Sequence, residues 1–137
     1  MGWQTFLESA RQSAREIEVL TYRIANGGRD WSTSGVKSHT TTIKSPTETA
    51  AIMELTVVPQ LVERRERHER VVGDALAAIQ ATREQLGPIE GDILEMFYID
   101  GFLSWMIAGE LGLTVDAVFY RKRKALAWMD MNLPMVE

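Results

Sequence analysis

The chain has 137 residues, a length sufficient for one ordinary domain or two small helical modules. Of these residues 45% are hydrophobic and 25% charged, a composition too apolar for a disordered tail. It has no cysteine, which excludes disulfides and thiolate metal sites, and no nucleotide-binding glycine fingerprint, so we expect neither metal nor cofactor. The net charge of −4 argues against a general nucleic-acid coat. No apolar run approaches the ~20 residues that span a bilayer, and no signal peptide is visible, so a soluble intracellular protein is expected.

Positive charge is concentrated at one place in the C-terminal part of the chain. Residues 1–85 carry 11 Lys and Arg against 11 Asp and Glu, whereas residues 86–137 carry 4 against 8. The four basic residues of the second part are consecutive and are called the basic quartet below: Arg121, Lys122, Arg123 and Lys124. Such a cluster either contacts phosphate groups or forms a solvated helix face.

The first predicted element is a helix over residues 3–25. The segment Asn26-Gly27-Gly28 predicts its end, because glycine terminates helices at little cost. Residues 27–45 are then rich in Gly, Ser and Thr and have no helical period, which predicts a flexible loop. Apolar residues recur at helical spacing along the first helix: Phe6, Ala10, Ile17, Leu20 and Ile24.

A second, longer helix is predicted over residues 47–85, with Ser45 or Thr47 as its N-cap. Its charged middle, residues 63–70, is interpreted as a solvated face. Its apolar stripe must be buried, either by the first helix in a hairpin or by a second copy of the chain in a coiled coil. Residues 1–86 are therefore predicted to form a helical arm through which the chain could form a homodimer. The stripe comprises Leu55, Val58, Val62, Val72, Leu76, Ile79 and Leu86.

Residues 87–137 are predicted to form a compact helical module after the break at Gly87-Pro88. Helices are expected over residues 88–97, 103–111 and 114–130, so the whole chain is predicted to be all-α. Four aromatic residues of this module are expected in its core rather than at a ligand: Phe97, Phe102, Trp105 and Trp128.

The segment from Ser104 to Val118 has the pattern of a helix-turn-helix. Two closely crossing helices need a small residue, here Ala108, and four positions later a turn residue that accepts positive φ, here Gly112. The second helix needs an N-cap, here Thr114, and an inward apolar residue on its first turn, here Val118. Ser104 is the predicted N-cap of the first helix. Apolar residues flank the turn: Ile107, Leu111 and Leu113. The alternative is a three-helix bundle with no role at DNA.

The second helix of such a motif lies in the major groove, where the residues near its N-terminus read base edges. Asp116 could accept a hydrogen bond from a cytosine amine, and Phe119 could contact a thymine methyl group. One of the adjacent aromatic residues could instead face the core. The predicted DNA-binding set consists of the basic quartet and Ser104, Thr114, Val115, Asp116, Phe119 and Tyr120. No catalytic set is recognised, so the chain is not expected to be an enzyme.

Residues 93–129 resemble region 4 of bacterial sigma factors. Both have a helix ending in an aromatic residue and isoleucine, then Asp-Gly, here in Tyr98-Ile99-Asp100-Gly101. The helix-turn-helix follows, and Ala125-Leu126 falls in its expected place. The whole chain is similar to small phage regulators of the ArpU/RinA type. These regulators begin with an N-terminal helix, a Ser/Thr-rich loop and a second helix that starts with Ser-Pro-Thr, and a sigma-like module follows. The Ser-Pro-Thr start corresponds here to Ser45-Pro46-Thr47.

This resemblance implies a phage or prophage activator of late genes that binds double-stranded DNA with host RNA polymerase in the cytoplasm of a bacterial host cell. Sigma factors usually carry arginines at the positions of Val115 and Phe119, and an apolar residue is common at that of Arg121. We therefore expect neither binding to an ordinary −35 promoter sequence nor promoter opening by this chain alone. The alternatives are a DNA-packaging component similar to a small terminase subunit and a helical protein-interaction module without DNA binding.

Overall fold

A computed structural model of the protein describes residues 2–27 and 57–134. All regular secondary structure within these two ranges is helical, so the all-α prediction is confirmed for them. Most of the predicted loop at 27–45, the two candidate N-caps Ser45 and Thr47, and Leu55 of the apolar stripe lie outside the described residues.

Five α-helices and one π-helical turn make up the described part of the chain. The predicted helix over 3–25 is confirmed, and the helices predicted at 103–111 and 114–130 begin and end within two residues of the observed bounds. The helix predicted over 88–97 ends in the π-helical turn, where the Asp100 amide donates to the Glu95 carbonyl at 3.0 Å. The elements are α1 (Trp3–Ala25), α2 (Val58–Leu86), α3 (Pro88–Leu94), the π-helical turn (Glu95–Ile99), α4 (Ser104–Leu111) and α5 (Val115–Asn132).

Contacts divide the chain into two compact units, one formed by residues 1–15 with 69–137 and the other by residues 16–68. Helices α1 and α2 each contribute to both units. This division by contacts differs from the predicted one into residues 1–86 and 87–137, which stays a prediction.

The core of the first unit joins the first turns of α1 to the module. The Trp3 amide donates to Asp130 Oδ1 at 2.8 Å, and the indole nitrogen of Trp3 donates to the Leu133 carbonyl at 3.3 Å. Since the indole is only 2% exposed, the start of α1 is anchored at the end of α5. The main cluster of buried residues is Trp3, Leu7, Ala10, Ala75, Ala78, Ile79, Leu94, Tyr98, Ala125, Leu126 and Met129.

The second unit contains the end of α1 and the start of α2. Leu20 and Leu61 are its buried apolar residues in the described part, and Arg65 Nη1 lies 3.5 Å from Thr21 Oγ1. Most charged side chains of residues 63–70 are exposed, in agreement with the predicted solvated face.

The predicted apolar stripe of α2 is wrong at Leu76. This side chain is 37% exposed, whereas Ala75, Ala78 and Ile79 are buried. The buried face also contains Thr82, whose hydroxyl donates to the Ala78 carbonyl at 2.9 Å. Ile79 of the stripe is buried and Leu86 packs against the core as predicted, so the stripe departs from prediction at Leu76, where Ala75, Ala78 and the satisfied Thr82 meet the core instead.

A close approach at Gly91 sets α3 against the end of α2. A Cβ at this position would lie 2.5 Å from Arg83 Cβ, so only glycine fits without displacement. Arg83 Nη2 donates to Asp92 Oδ1 at 3.1 Å and to Glu95 Oε1 at 2.9 Å. The bond to Glu95 is the main reason why the pKa of Arg83 is raised.

Candidate nucleic-acid interface

Helix α4 begins at Ser104, one residue after the start of the predicted range 103–111 and one residue before the start that a Ser104 cap would give. Leu103 is the N-cap, with extended backbone angles of φ −83° and ψ 158°. Its carbonyl accepts from the amides of Met106 and Ile107 at 2.9 and 3.1 Å. Ser104 is the first helical residue, so its prediction as the N-cap is wrong. A leucine side chain offers no acceptor, and the predicted serine cap depended on residue type alone.

The turn between α4 and α5 is made by Gly112, as predicted. Its φ of 67° and ψ of 33° lie in the left-handed region, which residues with a Cβ enter at a cost. The Leu113 amide donates to the Ala108 carbonyl at 3.0 Å, the six-to-one bond of a Schellman motif. This turn ends α4 abruptly and lets the chain reverse into α5 within three residues.

Thr114 is the N-cap of α5, as predicted, and the helix itself begins at Val115. Thr114 has φ −82° and ψ 160°, and its hydroxyl Oγ1 accepts from the Ala117 amide at 3.1 Å. Asp116 lies in the first turn, where its carboxylate also interacts favourably with the positive end of the helix dipole. The start of α5 is therefore determined by local hydrogen bonding.

Removing the Thr114 hydroxyl is expected to lower the free energy of unfolding by about 1 kcal/mol, the usual loss for a threonine cap. Thermal or urea denaturation of Thr114→Ala measures this loss. Ser104→Ala is the matched control, and it should change stability by less than about 0.5 kcal/mol because Ser104 is not a cap. Equal losses in the two variants would contradict the observed cap assignment.

A small apolar core holds α4 across α5. Ile107 and Val118 are 0% and 1% exposed, and Ala108, the predicted small residue at the crossing, is 7% exposed. Ile93 of α3 completes the buried set, and Leu111 and Leu113 pack against it. The apolar positions expected of a helix-turn-helix are thus all used for packing, which fixes the direction of α5 relative to α4.

The outward face of α5 carries the residues predicted to read bases. Tyr120 is 61% exposed, and Val115 and Phe119 are 39% and 38% exposed. Asp116 is also exposed. The alternative that one of the two adjacent aromatic residues faces the core is therefore wrong. Helical spacing aligns Asp116, Tyr120 and Arg123 along the outward side.

The basic quartet does not form one surface. Arg121 Nη1 donates to Glu90 Oε2 at 2.7 Å, and the Glu90 side chain is only 7% exposed. A buried carboxylate needs a partner, because an unpaired buried charge is strongly destabilising. Arg121 thus neutralises Glu90 and ties α5 to α3.

Lys122 is also used within the protein. Its Nζ lies 3.8 Å from the centroid of the Phe97 ring, which also accommodates the Arg11 guanidinium at 4.2 Å. Burial lowers the pKa of Lys122, and the positive charge of Arg11 lowers it further, while Glu8 opposes the shift. A lysine held over an aromatic ring and partly removed from water is poorly placed for phosphate.

Arg123 and Lys124 are the two members of the quartet whose side chains are exposed. They lie beside the outward face of α5, one helical turn after Phe119 and Tyr120. These two are therefore the members of the quartet that are available for contact with another molecule.

The chain was compared with protein-family models, with curated proteins and with solved structures, and none of the three comparisons found a match. Within residues 2–27 and 57–134, no helix is long and apolar enough to cross a membrane. The same residues hold no group of three or more His, Cys, Asp or Glu side chains that could bind a metal ion.

The prediction of Trp105 as a core residue is wrong, since its side chain is 65% exposed on α4. Phe97, Phe102 and Trp128 are partly buried and pack against the two apolar clusters, as expected. The buried Glu90 was not recognised from sequence. In the sequence Glu90 is distinguished only by its position two residues after Pro88. That position gives no indication that its carboxylate pairs with Arg121, 31 residues further along the chain.

Proposed function

We propose that the protein is a sequence-specific regulator of transcription that binds double-stranded DNA through α5, the second helix of a helix-turn-helix formed by α4, the Gly112 turn and α5. The observation that supports this most strongly is the pair of helices crossed at Ala108 and Val118, with α5 capped by Thr114 and presenting a largely exposed outward face. A capped helix held in this way can enter a major groove with its first two turns.

The residues of α5 divide into two groups with different roles. Val115, Asp116, Phe119 and Tyr120 contact base edges, where a carboxylate accepts from cytosine and an aromatic ring contacts the thymine methyl group. Arg123 and Lys124 contact phosphate groups, which positions the helix without reading sequence. Arg121 and Lys122 support α5 from the inner side.

The resemblance to ArpU/RinA-type regulators extends this proposal to a phage late-gene activator that works with host RNA polymerase. The charge of the module favours such cooperation. Residues 86–137 carry twice as many acidic as basic residues, and two of the four basic ones are engaged internally. Non-specific attraction to DNA is therefore weak, and a second copy of the chain or the polymerase would hold the protein at its site.

Affinities for DNA at several salt concentrations distinguish the residues that contact phosphate groups from the residues that contact base edges. A preferred duplex is first selected from random sequences, and a scrambled duplex serves as reference. Arg123→Ala or Lys124→Ala should weaken binding to both duplexes alike and flatten the salt dependence by about one unit of slope, because each lost phosphate contact releases one counterion fewer. Arg70→Ala, an exposed arginine of α2, is the matched control and should behave as wild type.

Variants of the reading residues should behave differently. Asp116→Ala or Tyr120→Ala should leave the salt slope nearly unchanged and reduce the preference for the selected duplex by about 1–3 kcal/mol per lost base contact. If no duplex is bound at low salt even with RNA polymerase present, the proposed function is wrong. If the Arg123 and Lys124 variants equal wild type on every duplex, these side chains form only a solvated face.

A further inference from the structure

Helix α4 presents an apolar surface on the side opposite its core. Leu103, Trp105 and Met106 are 50%, 65% and 39% exposed. An open groove of about 320 Å³ runs along this side, and we call it the α4 groove. Its lining consists of Phe102, Trp105, Met106, Gly109 and Glu110. The outward face of a surface helix is ordinarily polar, so this composition needs an explanation.

Packing of the fold does not explain the α4 groove. The inward side of α4 is already occupied by Ile107, Ala108 and Leu111, which pack against α3 and α5. Helical spacing turns Trp105, Met106 and Gly109 away from that core. A contiguous exposed apolar surface is typical of a binding site, and tryptophan is enriched where binding energy is concentrated. Gly109 adds no side chain, which leaves room for an anchor between its neighbours.

The charge around the α4 groove indicates what kind of partner fits it. Glu110 lines the groove, and Asp100 precedes it, whereas residues 99–114 contain no Lys or Arg. Phosphate groups of a nucleic acid would meet the Glu110 carboxylate here. A second copy of this chain, docked through the same surface on both copies, would bring Glu110 near its own equivalent. Only a partner that combines apolar anchors with positive charge complements both features.

We propose that the α4 groove binds a segment of another protein that places a leucine or aromatic anchor against Trp105 and Met106 and a Lys or Arg beside Glu110. This docking surface is separate from the outward face of α5 that we assign to DNA. It does not depend on the DNA-binding proposal, and either can fail without the other.

Three synthetic peptides test the groove on the full chain by calorimetric titration. The first is a short amphipathic helix of leucine and lysine, the second keeps its leucines with glutamate in place of lysine, and the third keeps its lysines with serine in place of leucine. The Leu/Lys peptide should bind, and each of the other two should bind at least about tenfold more weakly, which corresponds to about 1.4 kcal/mol.

Two variants locate the binding to the α4 groove. Trp105→Ala and Glu110→Lys should each weaken binding of the Leu/Lys peptide by about tenfold or more. Met131→Ala removes an 84% exposed apolar side chain of α5, and Glu84→Lys reverses an exposed charge of α2. These controls should bind as wild type. Because Trp105 and Glu110 are both exposed, circular dichroism should show all four variants folded.

Several results would overturn the proposal. The proposal is wrong if the Leu/Lys peptide does not bind. It is also wrong if the Ser/Lys peptide binds as tightly as the Leu/Lys peptide, because the attraction would then depend on charge alone. Unchanged affinity in Trp105→Ala would place the peptide elsewhere on the protein. A dimer in sedimentation analysis that Trp105→Ala dissociates would show that a second copy covers the groove.

Discussion

Replacing Ile79 with Ala is expected to lower the free energy of unfolding by about 2–5 kcal/mol, the usual range for a large aliphatic side chain truncated in a core. Ile79 is 0% exposed and lies in the main apolar cluster with residues of α1, α3 and α5. Its neighbours come from four helices and cannot all move into the space, so a cavity remains. Urea denaturation followed by circular dichroism measures the loss.

Leu76→Ala provides the comparison on the same helix. Leu76 is 37% exposed, so truncation removes less buried area and leaves no closed cavity. We expect a loss of about 1 kcal/mol. A loss as large as that of Ile79→Ala would mean that Leu76 is covered in solution, as a second copy in a coiled coil would do. The concentration dependence of the melting temperature would then reveal the dimer.

Arg121→Met is expected to cost about 3 kcal/mol, the lower end of the range for removing one partner of a buried ion pair. The variant keeps most of the length and apolar volume of the side chain but leaves the Glu90 carboxylate, 7% exposed, without its charged partner. The lower end applies because the Arg121 side chain is 37% exposed, so water compensates part of the loss. Thermal and urea denaturation both measure it.

Two further variants isolate the ion pair as the cause. Arg123→Met changes an exposed arginine of the same helix and should alter stability by less than about 0.5 kcal/mol. Glu90→Met combined with Arg121→Met removes both charges and should recover most of the loss, since apolar side chains of similar size often replace a buried pair without penalty. Arg121→Met should also leave the salt slope of DNA binding unchanged in the folded protein. Full stability together with a flattened slope would instead show that Arg121 turns towards phosphate.

In the proposed complex with DNA, the division of the basic quartet determines which charged side chains face the duplex. Arg121 is bound to Glu90, and Lys122 lies over the Phe97 ring. Charged side chains on the inner side of α5 therefore hold the helix in place together with aliphatic packing. The outward face then combines one carboxylate, two aromatic rings and two cations. Such a face favours selection among sequences over strong general attraction, in keeping with the acidic balance of the module.

Local features of this protein were predictable from sequence. The end of α1 near Asn26, the positive φ of Gly112 and the cap at Thr114 are all set within one or two helical turns. Residue type and spacing determine them, because the hydrogen bonds that end α1 and α4 and start α5 join residues at most five positions apart.

Which side of a helix meets the core was decided only by the tertiary structure. Leu76, by its place in the helically spaced stripe, and Trp105 were expected to be buried, yet α2 turns Ala75 inward instead of Leu76, and α4 turns Ile107 and Ala108 inward. Both helices carry apolar residues on more than one side, so periodicity alone could not select the buried face. In the same way Arg121 belongs to a run of four like charges, and its inward role depends on Glu90, a partner 31 residues away that only the packing of α3 against α5 brings within 2.7 Å.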